Sequence, residues 1–279
     1  MIAALAGLLV FAGFLGGLHR AADTLALARP VFGLVALGGV FVAPGWRWRL
    51  GFVSVALAAL ATVGPALLSQ PAGGDIRIYS KNLWAPNSDP SAIVADIETA
   101  HVDAVFLQEV SRWNSHVLDL LENTFPHQKY CRFSGWGGVA VASRLPFDGP
   151  PRCSDKQAMA AAPVRVDGKR IWLVSAHIPW PWPSDSAENE AAAAAVLSGL
   201  DAPAVIAGDF NSFPWTRRVR RIAAESGTSP AGPVRPTLFI RHVPLPIDMA
   251  FAPGGGALDR RPQLGSDHFG IVADLALEP

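Results

Sequence analysis

The first 74 residues carry only five charged side chains, Arg20, Asp23, Arg29, Arg47 and Arg49, and this scarcity of charge constrains the fold more than any other feature of the chain. A segment without a polar face either enters a core or lies in lipid. A membrane span needs about 20 mostly apolar residues, with roughly 17 as the lower bound. The uncharged runs at residues 2–18 and 50–68 reach that length. The run at 31–42 reaches it only when Pro30 and Pro44-Gly45-Trp46 are included, which places Trp46 and Trp48 at the interface. The expectation is an anchor over residues 1–70 with about three transmembrane helices (2–18, 30–46 and 50–68), a linker at 71–75 and a second domain over 76–279. Two spans, or a cleaved signal followed by buried helices, are the alternatives. Met1-Ile2-Ala3 lacks the basic side chain a signal peptide carries. The chain therefore reads as an integral protein of the inner or plasma membrane. Arg20 and Arg29 in one turn match Arg47 and Arg49 in the other, and the N-terminal amine tips the balance toward an inside N-terminus. Three spans then leave the second domain extracytoplasmic.

Residues 75–279 hold nineteen Lys and Arg against twenty-two Asp and Glu, an ordinary charge density for a water-facing domain. A slightly acidic balance argues against a broad basic groove for a nucleic-acid backbone. Cys131 and Cys153 lie 22 residues apart with no Cys-x-x-Cys, so they are not a zinc site; they are either a disulfide or two unrelated thiols.

Short apolar runs bounded by turn residues read as strands at 76–80, 104–107, 138–142, 171–175, 204–207, 247–252 and 271–275. Helices are predicted at 90–99, 113–121, 187–200 and 217–224. Several strands look hairpin-connected, which gives an α/β class with a mixed sheet. Polar residues recur at the ends of these strands: Asn82, Glu109, His177, Asp209 with Asn211, then Asp248 and the Asp267-His268 pair. Strand ends on one edge of a sheet converge, so these groups are expected around one cleft.

The ordered blocks Lys81-Asn82-Leu83-Trp84, Leu107-Gln108-Glu109-Val110, Gly138 through Ser143-Arg144-Leu145-Pro146, Ser175-Ala176-His177, Gly208-Asp209-Phe210-Asn211-Ser212-Phe213-Pro214, Ile247-Asp248-Met249 and Ser266-Asp267-His268 resemble the endonuclease/exonuclease/phosphatase superfamily. The resemblance runs from about residue 75 to the C-terminus. It implies a four-layer sandwich, two mixed β-sheets face to face with helices outside. It also implies Mg²⁺ or Mn²⁺ and hydrolysis of a phosphate ester by in-line attack of water.

By that resemblance Glu109 is the principal metal ligand, with Asn82 beside it and Asp267 at the metal edge. Asp209 orients and deprotonates the water, Asn211 and His177 hold phosphoryl oxygens, and Asp248 pairs with His268. The physical chemistry agrees. A hard cation takes oxygen ligands, a general base needs a carboxylate near the water, and a carboxylate partner keeps His268 cationic.

Substrate-contacting candidates are Arg144 or Trp136, since no tyrosine follows Tyr130; Arg217 in the cluster with Arg218, Arg220 and Arg221; and Trp180 and Trp182 in the proline-rich loop after His177. The bland reading of the arginine cluster is a solvated helix face, and that of the tryptophans is cleft closure. A phosphodiester is expected, either nucleic acid or a phospholipid headgroup, the tryptophans favouring the interface. Phosphomonoesterase action on small sugar or inositol phosphates, or a degenerate membrane-attached binding module, are the alternatives. No obligate protein partner is inferred.

Overall fold

The computed structural model describes residues 1–67, 74–133, 137–184 and 186–278. Residues 71–73 of the expected linker, and Trp136, lie outside the described residues. Four helices come first: α1 (Ile2–Ala12), α2 (Arg20–Leu27), α3 (Arg29–Val42) and α4 (Trp46–Leu67). The run expected to span at 2–18 is not one helix. It stops at Ala12, and a 3-10 turn at Leu15–Gly17 follows, in a stretch where Gly13, Gly16 and Gly17 weaken helix continuation. The His19 side chain then caps α2 by accepting the Ala21 N–H. Trp46 and Trp48 begin α4 and do not close α3. Among the described residues one helix, α4, with 22 residues and a mean hydropathy of 2.0, is long and apolar enough to cross a membrane. There are two such elements if α2 and α3, bent by 68°, form one broken span. Small residues let these helices approach: Ala6, Val10, Ala36, Val55 and Ala59 pack together.

The rest is a twelve-stranded ribbon folded on itself. Its first half runs β3 (His127–Cys131), β4 (Gly138–Ser143), β2 (Ala104–Val110), β1 (Ile76–Asn82), β14 (Gly270–Leu275) and β13 (Gly256–Arg261). The second half runs β9 (Ser229–Gly232), β12 (Asp248–Ala252), β8 (Ala204–Asp209), β7 (Lys169–His177), β6 (Met159–Val166) and β5 (Arg152–Cys153). The join is β9, antiparallel to β12 and parallel to β13. A separate hairpin pairs β10 (Leu238–Ile240) with β11 (Val243–Leu245).

The two halves face each other across one core, in which Ile76, Ile78 and Phe106 from one meet Ala160, Leu173 and Val205 from the other. The outer face of the first half packs under α5 (Ser91–Thr99) and α6 (Val117–Leu121), and that of the second under α7 (Ala187–Ser198) and α8 (Arg217–Ser226). This is the expected four-layer sandwich. A strand buried on both faces is apolar at every position, which is why Ala104-Val105-Phe106-Leu107 shows no alternation. Cys131 and Cys153, left open by the sequence, are bonded, and they tie the outermost strands of the two halves together.

The N-terminal helices are packed onto the sandwich. Val63 and Ala66 of α4 share an apolar cluster with Phe213, Trp215, Val234 and Ile247. The Trp215 indole donates to the Ala26 carbonyl at 2.8 Å, and Arg29 Nη1 donates to the Trp215 carbonyl at 3.0 Å. No side chain of its own segment caps α8. Asp23 does so from α2, accepting the N–H groups of Arg217 and Arg218 at 2.7 and 3.0 Å. A buried carboxylate against the positive end of a helix satisfies two orphan donors and complements the dipole. Asp23→Ala is therefore expected to cost the full chain about 1–2 kcal/mol, read by chemical denaturation, with Asp23→Asn losing less because it still accepts. Equal stability of Asp23→Ala and the unaltered chain would contradict this docking.

Candidate active site

The strand ends converge as the sequence implied. Asn82 ends β1, Glu109 lies near the end of β2, His177 ends β7, Asp209 ends β8 and Asp248 opens β12. On the second half His177, Asp209 and Asp248 are cross-strand neighbours, because β7 is parallel and β12 antiparallel to β8. Asn82 and Glu109 arrive from the opposite half. The Asn82 Nδ2 donates to Glu109 Oε1 at 3.0 Å and to Asp209 Oδ2 at 3.1 Å, joining the two halves at the site.

Local backbone geometry makes this approach attainable. Gly208 has φ 152°, and a Cβ there would lie 1.9 Å from the Ala176 carbonyl oxygen, so only glycine lets β8 meet β7 just before Asp209. Glu109 has φ 54° and follows a break in the β2–β4 register after Leu107. This irregularity re-aims the side chain, as bulges do at strand ends. Asn211, at φ 45°, folds back so that its own N–H donates to Asp209 Oδ1 at 2.8 Å. Such left-handed residues cost on the order of 1–3 kcal/mol each and persist where the surroundings fix them.

Two buried carboxylates side by side need a cation. His268 supplies one, its Nδ1 2.8 Å from Asp248 Oδ2 and its Nε2 3.8 Å from Asp209 Oδ2. Burial works against the imidazolium, but the charges of Asp248 and Asp209 outweigh it and push its pKa up to about 10. Asp209 is pushed up to about 7, by burial first and by the Asp248 charge, with His268 opposing. Burial lowers His177, which stays neutral at neutral pH. The Gln157 amide, 3.1 Å from Nδ1, donates there and so leaves the proton on Nε2, which points toward Asp209 at 3.7 Å and Glu109 at 3.9 Å. Asn211 Nδ2 donates to the Ile178 carbonyl at 3.1 Å.

Asp209, Asp248 and His268 form a group whose donor atoms lie within 4.8 Å of one another, a candidate metal site. Asp248 Oδ1 is buried and has no hydrogen-bond partner, as an oxygen awaiting a cation would be. Asp267 sits exposed at the rim beside His268. Asn82 departs from its expected role: it turns nitrogen toward the carboxylates while Oδ1 accepts the Trp84 N–H at 2.9 Å, so here it positions Glu109 and Asp209 and offers no oxygen between them.

The substrate-contacting candidates fare differently. Arg144 donates to the Val102 carbonyl and lies at the start of β2, at the opposite end from Glu109, so the structure does not bring it to the site. Trp180 packs in the apolar cluster with Phe213 and Trp215, as a closure residue would. Trp182 is half exposed, and its carbonyl accepts the Thr24 hydroxyl of α2. Arg217 is exposed at the start of α8 and faces the N-terminal helices.

Several residues escaped the sequence reading. Lys81, fully buried, donates to the carbonyls of Pro262, Gln263 and His268 at 3.1, 2.7 and 2.6 Å, and so fixes the loop carrying His268. Burial lowers its pKa to about 8. Ser266 donates to the Asn82 carbonyl and accepts the His268 N–H. Gln108 reaches across the core to Ser175 at 3.1 Å. A buried lysine inside the Lys81-Asn82 block was the one available signal.

In the metal-free chain, the His268 imidazole is expected to remain protonated until about pH 10, and Asp248→Asn to bring its titration down toward the ordinary 6.5. Imidazole ¹⁵N chemical shifts measure both. An unaltered titration in Asp248→Asn would contradict the pairing.

The sequence pattern described as Endonuclease/Exonuclease/phosphatase family matches residues 79–268. No curated protein matches the chain. Among solved structures, an endonuclease/exonuclease/phosphatase from Beutenbergia cavernae DSM 12333 is 21% identical, covering 73% of this chain and 72% of its own, with a TM-score of 0.56. An endonuclease/exonuclease/phosphatase family protein from Leptotrichia buccalis C-1013-b is 15% identical over 72% of this chain and 99% of its own, with a TM-score of 0.58. A truncated Caenorhabditis elegans TDP2 is 15% identical over 71% and 96%, with a TM-score of 0.53. At these identities the likeness is one of fold.

Proposed function

Because the chain belongs to the Endonuclease/Exonuclease/phosphatase family, we propose that it is a membrane-anchored hydrolase of phosphodiesters, dependent on Mg²⁺ or Mn²⁺ and acting at the membrane surface. The observation that carries the reading is the set of Glu109, Asp209, Asp248, His268 and His177 around one point, with Asn82 bridging two of the carboxylates.

The residues fit a hard divalent ion, which takes carboxylate oxygens and water. Glu109 would hold it, with Asp267 at the rim and water completing the shell, while Asp209 stays off the ion. His268, protonated and bonded to Asp248, has no lone pair to offer. When bound, the ion neutralises charge that grows on the phosphoryl group and leaving oxygen. The protein does the rest. Asp209, with a pKa near neutrality, is matched to accept the proton of an attacking water. The His268 imidazolium and the neutral His177 Nε2–H are donors to phosphoryl oxygens, preorganised in a dry site where such donors are worth most. Asn211, fixed by its own backbone bond to Asp209, turns its amide toward the same point.

A diester is favoured by the space next to Glu109. Val110, Ser111, Arg112, Trp113, Tyr130 and Arg132 line an open cleft of about 460 Å³, with room and charge for a group beyond the scissile phosphate. A membrane-borne diester, a phospholipid headgroup, is favoured over nucleic acid by placement. The loops that follow His177 and Asp209 pack on α2 and α4, and the hairpin at 238–245 beside them exposes Phe239, Ile240 and Val243. Apolar side chains on such a hairpin suit an interface. The disulfide between Cys131 and Cys153 supports an extracytoplasmic domain, since such bonds persist in oxidising compartments.

The test is a panel on the full chain in lipid: vesicle-borne phospholipids, DNA, RNA, soluble diesters and small monoesters, with Mg²⁺, Mn²⁺ or chelator. Metal-dependent release of a phosphorylated headgroup is expected, falling by about 10²–10⁴ in Asp209→Asn. Turnover of nucleic acid but not lipid would replace the substrate reading, and metal-independent turnover would sink the mechanism.

A further inference from the structure

We propose a second, non-catalytic anion site at the junction of the N-terminal helices and the sandwich, built to hold a phosphate group. A cleft of about 340 Å³ opens there, lined by Gly13, Phe14, Arg29, Trp215, Arg217, Arg220 and Arg221. Its size falls in the roughly 300–1,000 Å³ range of small-molecule sites. Four of these seven residues carry guanidinium groups, from two parts of the chain that the fold brings together, and no carboxylate is among the lining residues.

The arginines differ in how far they are committed. Arg29 is only 2% exposed, stacks on the Phe14 ring at 4.1 Å, and spends Nη1 and Nη2 on Thr62, the Trp215 carbonyl and the Gly13 carbonyl. Its Nε–H is buried and has no partner. A buried, unsatisfied donor on a permanent cation is costly unless an acceptor arrives. Arg221 bonds Glu225 on its own helix. Arg217 and Arg220 are exposed, and no side-chain partner is found for either among the described residues. The nearby carboxylate, Asp23, is already occupied by two backbone N–H groups. With Arg221 paired, Arg29, Arg217 and Arg220 still repel one another across the cleft, and a bound anion relieves that repulsion. Arginine's planar fork suits phosphate oxygens in particular.

The cleft also sits at a telling level. Arg29 opens α3, Gly13 follows α1, and the adjacent cluster holds Val63 and Ala66 at the end of α4. All three apolar helices reach the sandwich here, which is the headgroup layer if the membrane reading above holds. Basic pockets between membrane helices hold anionic headgroups on the cytoplasmic side of a bilayer, and the same pairing of guanidinium with phosphate serves on the other side. The site itself does not depend on that reading; only the lipid as the source of the phosphate does.

The experiment uses the full chain in uncharged detergent with chelator present to stop turnover. Melting temperature is followed against inorganic phosphate in one arm, and against short-chain phosphatidylglycerol in the other, with phosphatidylcholine as control. A rise in melting temperature is expected with a phosphate-bearing anion. The concentration needed should increase at least tenfold in the double variant Arg217→Gln, Arg220→Gln, whose two side chains are exposed and leave the fold intact, and should not change in His268→Ala. Phosphatidylglycerol acting at the lower concentration identifies a lipid headgroup as the ligand, and inorganic phosphate acting at the lower concentration identifies a free anion. Absence of a shift in both arms, a shift that survives the double variant, or one that disappears with His268→Ala, overturns the proposal. An arginine-dependent shift in a chain that cleaves no diester would keep this site and sink the catalytic reading, and the reverse pattern would do the opposite.

Discussion

The Asn82 side-chain amide is the contact on which the active centre depends. Glu109 comes from one half of the sandwich and Asp209 from the other, and two carboxylates facing each other across a buried gap repel. One nitrogen donating to both holds them at a fixed separation and lowers the cost of keeping them charged. Everything around it serves the same arrangement. Ser266 hangs the His268 loop on the Asn82 carbonyl, and Lys81, the preceding residue, clamps that loop from beneath. One segment, Lys81-Asn82, thus sets the position of an acid pair and of the imidazolium that balances it.

Much of this was legible in the sequence, because strand ends and short polar blocks carry position as well as identity. Asp209, His177 and Asp248 could be assigned to one edge from apolar runs alone. Glu109 could be placed at a strand end, but not its left-handed backbone, which depends on a register break that no local propensity encodes. Met159–Val166 was missed as a strand because its alanines and Pro163 carry no β-signal; it forms because both faces are buried, by the sheet partner and by α7. The apolar N-terminus was legible as apolar, but not its breaks. Hydropathy counts residues, whereas the glycines after Ala12 and the His19 cap decide where helices stop. Arg144 and Arg217 show the opposite failure: a basic residue near a motif in sequence can lie at the far end of the strand or on another face.

How the N-terminal helices pack on the sandwich could not be read from the sequence, because it depends on long-range contacts. Asp23 caps α8, Trp215 reaches Ala26, and Val63 and Ala66 complete an apolar cluster with Phe213 just beyond Asn211. The N-terminal helices therefore serve as a wall of the loops that carry the site. Phe213 and Trp215, which follow Asp209, are buried against that wall.

The central claim is that Glu109 holds a divalent ion beside the Asp209–His268 pair, and that this ion serves phosphodiester hydrolysis. Anomalous diffraction from crystals of the full chain grown with Mn²⁺ tests it most directly. The account predicts a peak at the Glu109 carboxylate, with His268 still bonded to Asp248. No peak there, or ions bound only elsewhere on the molecule, would contradict it.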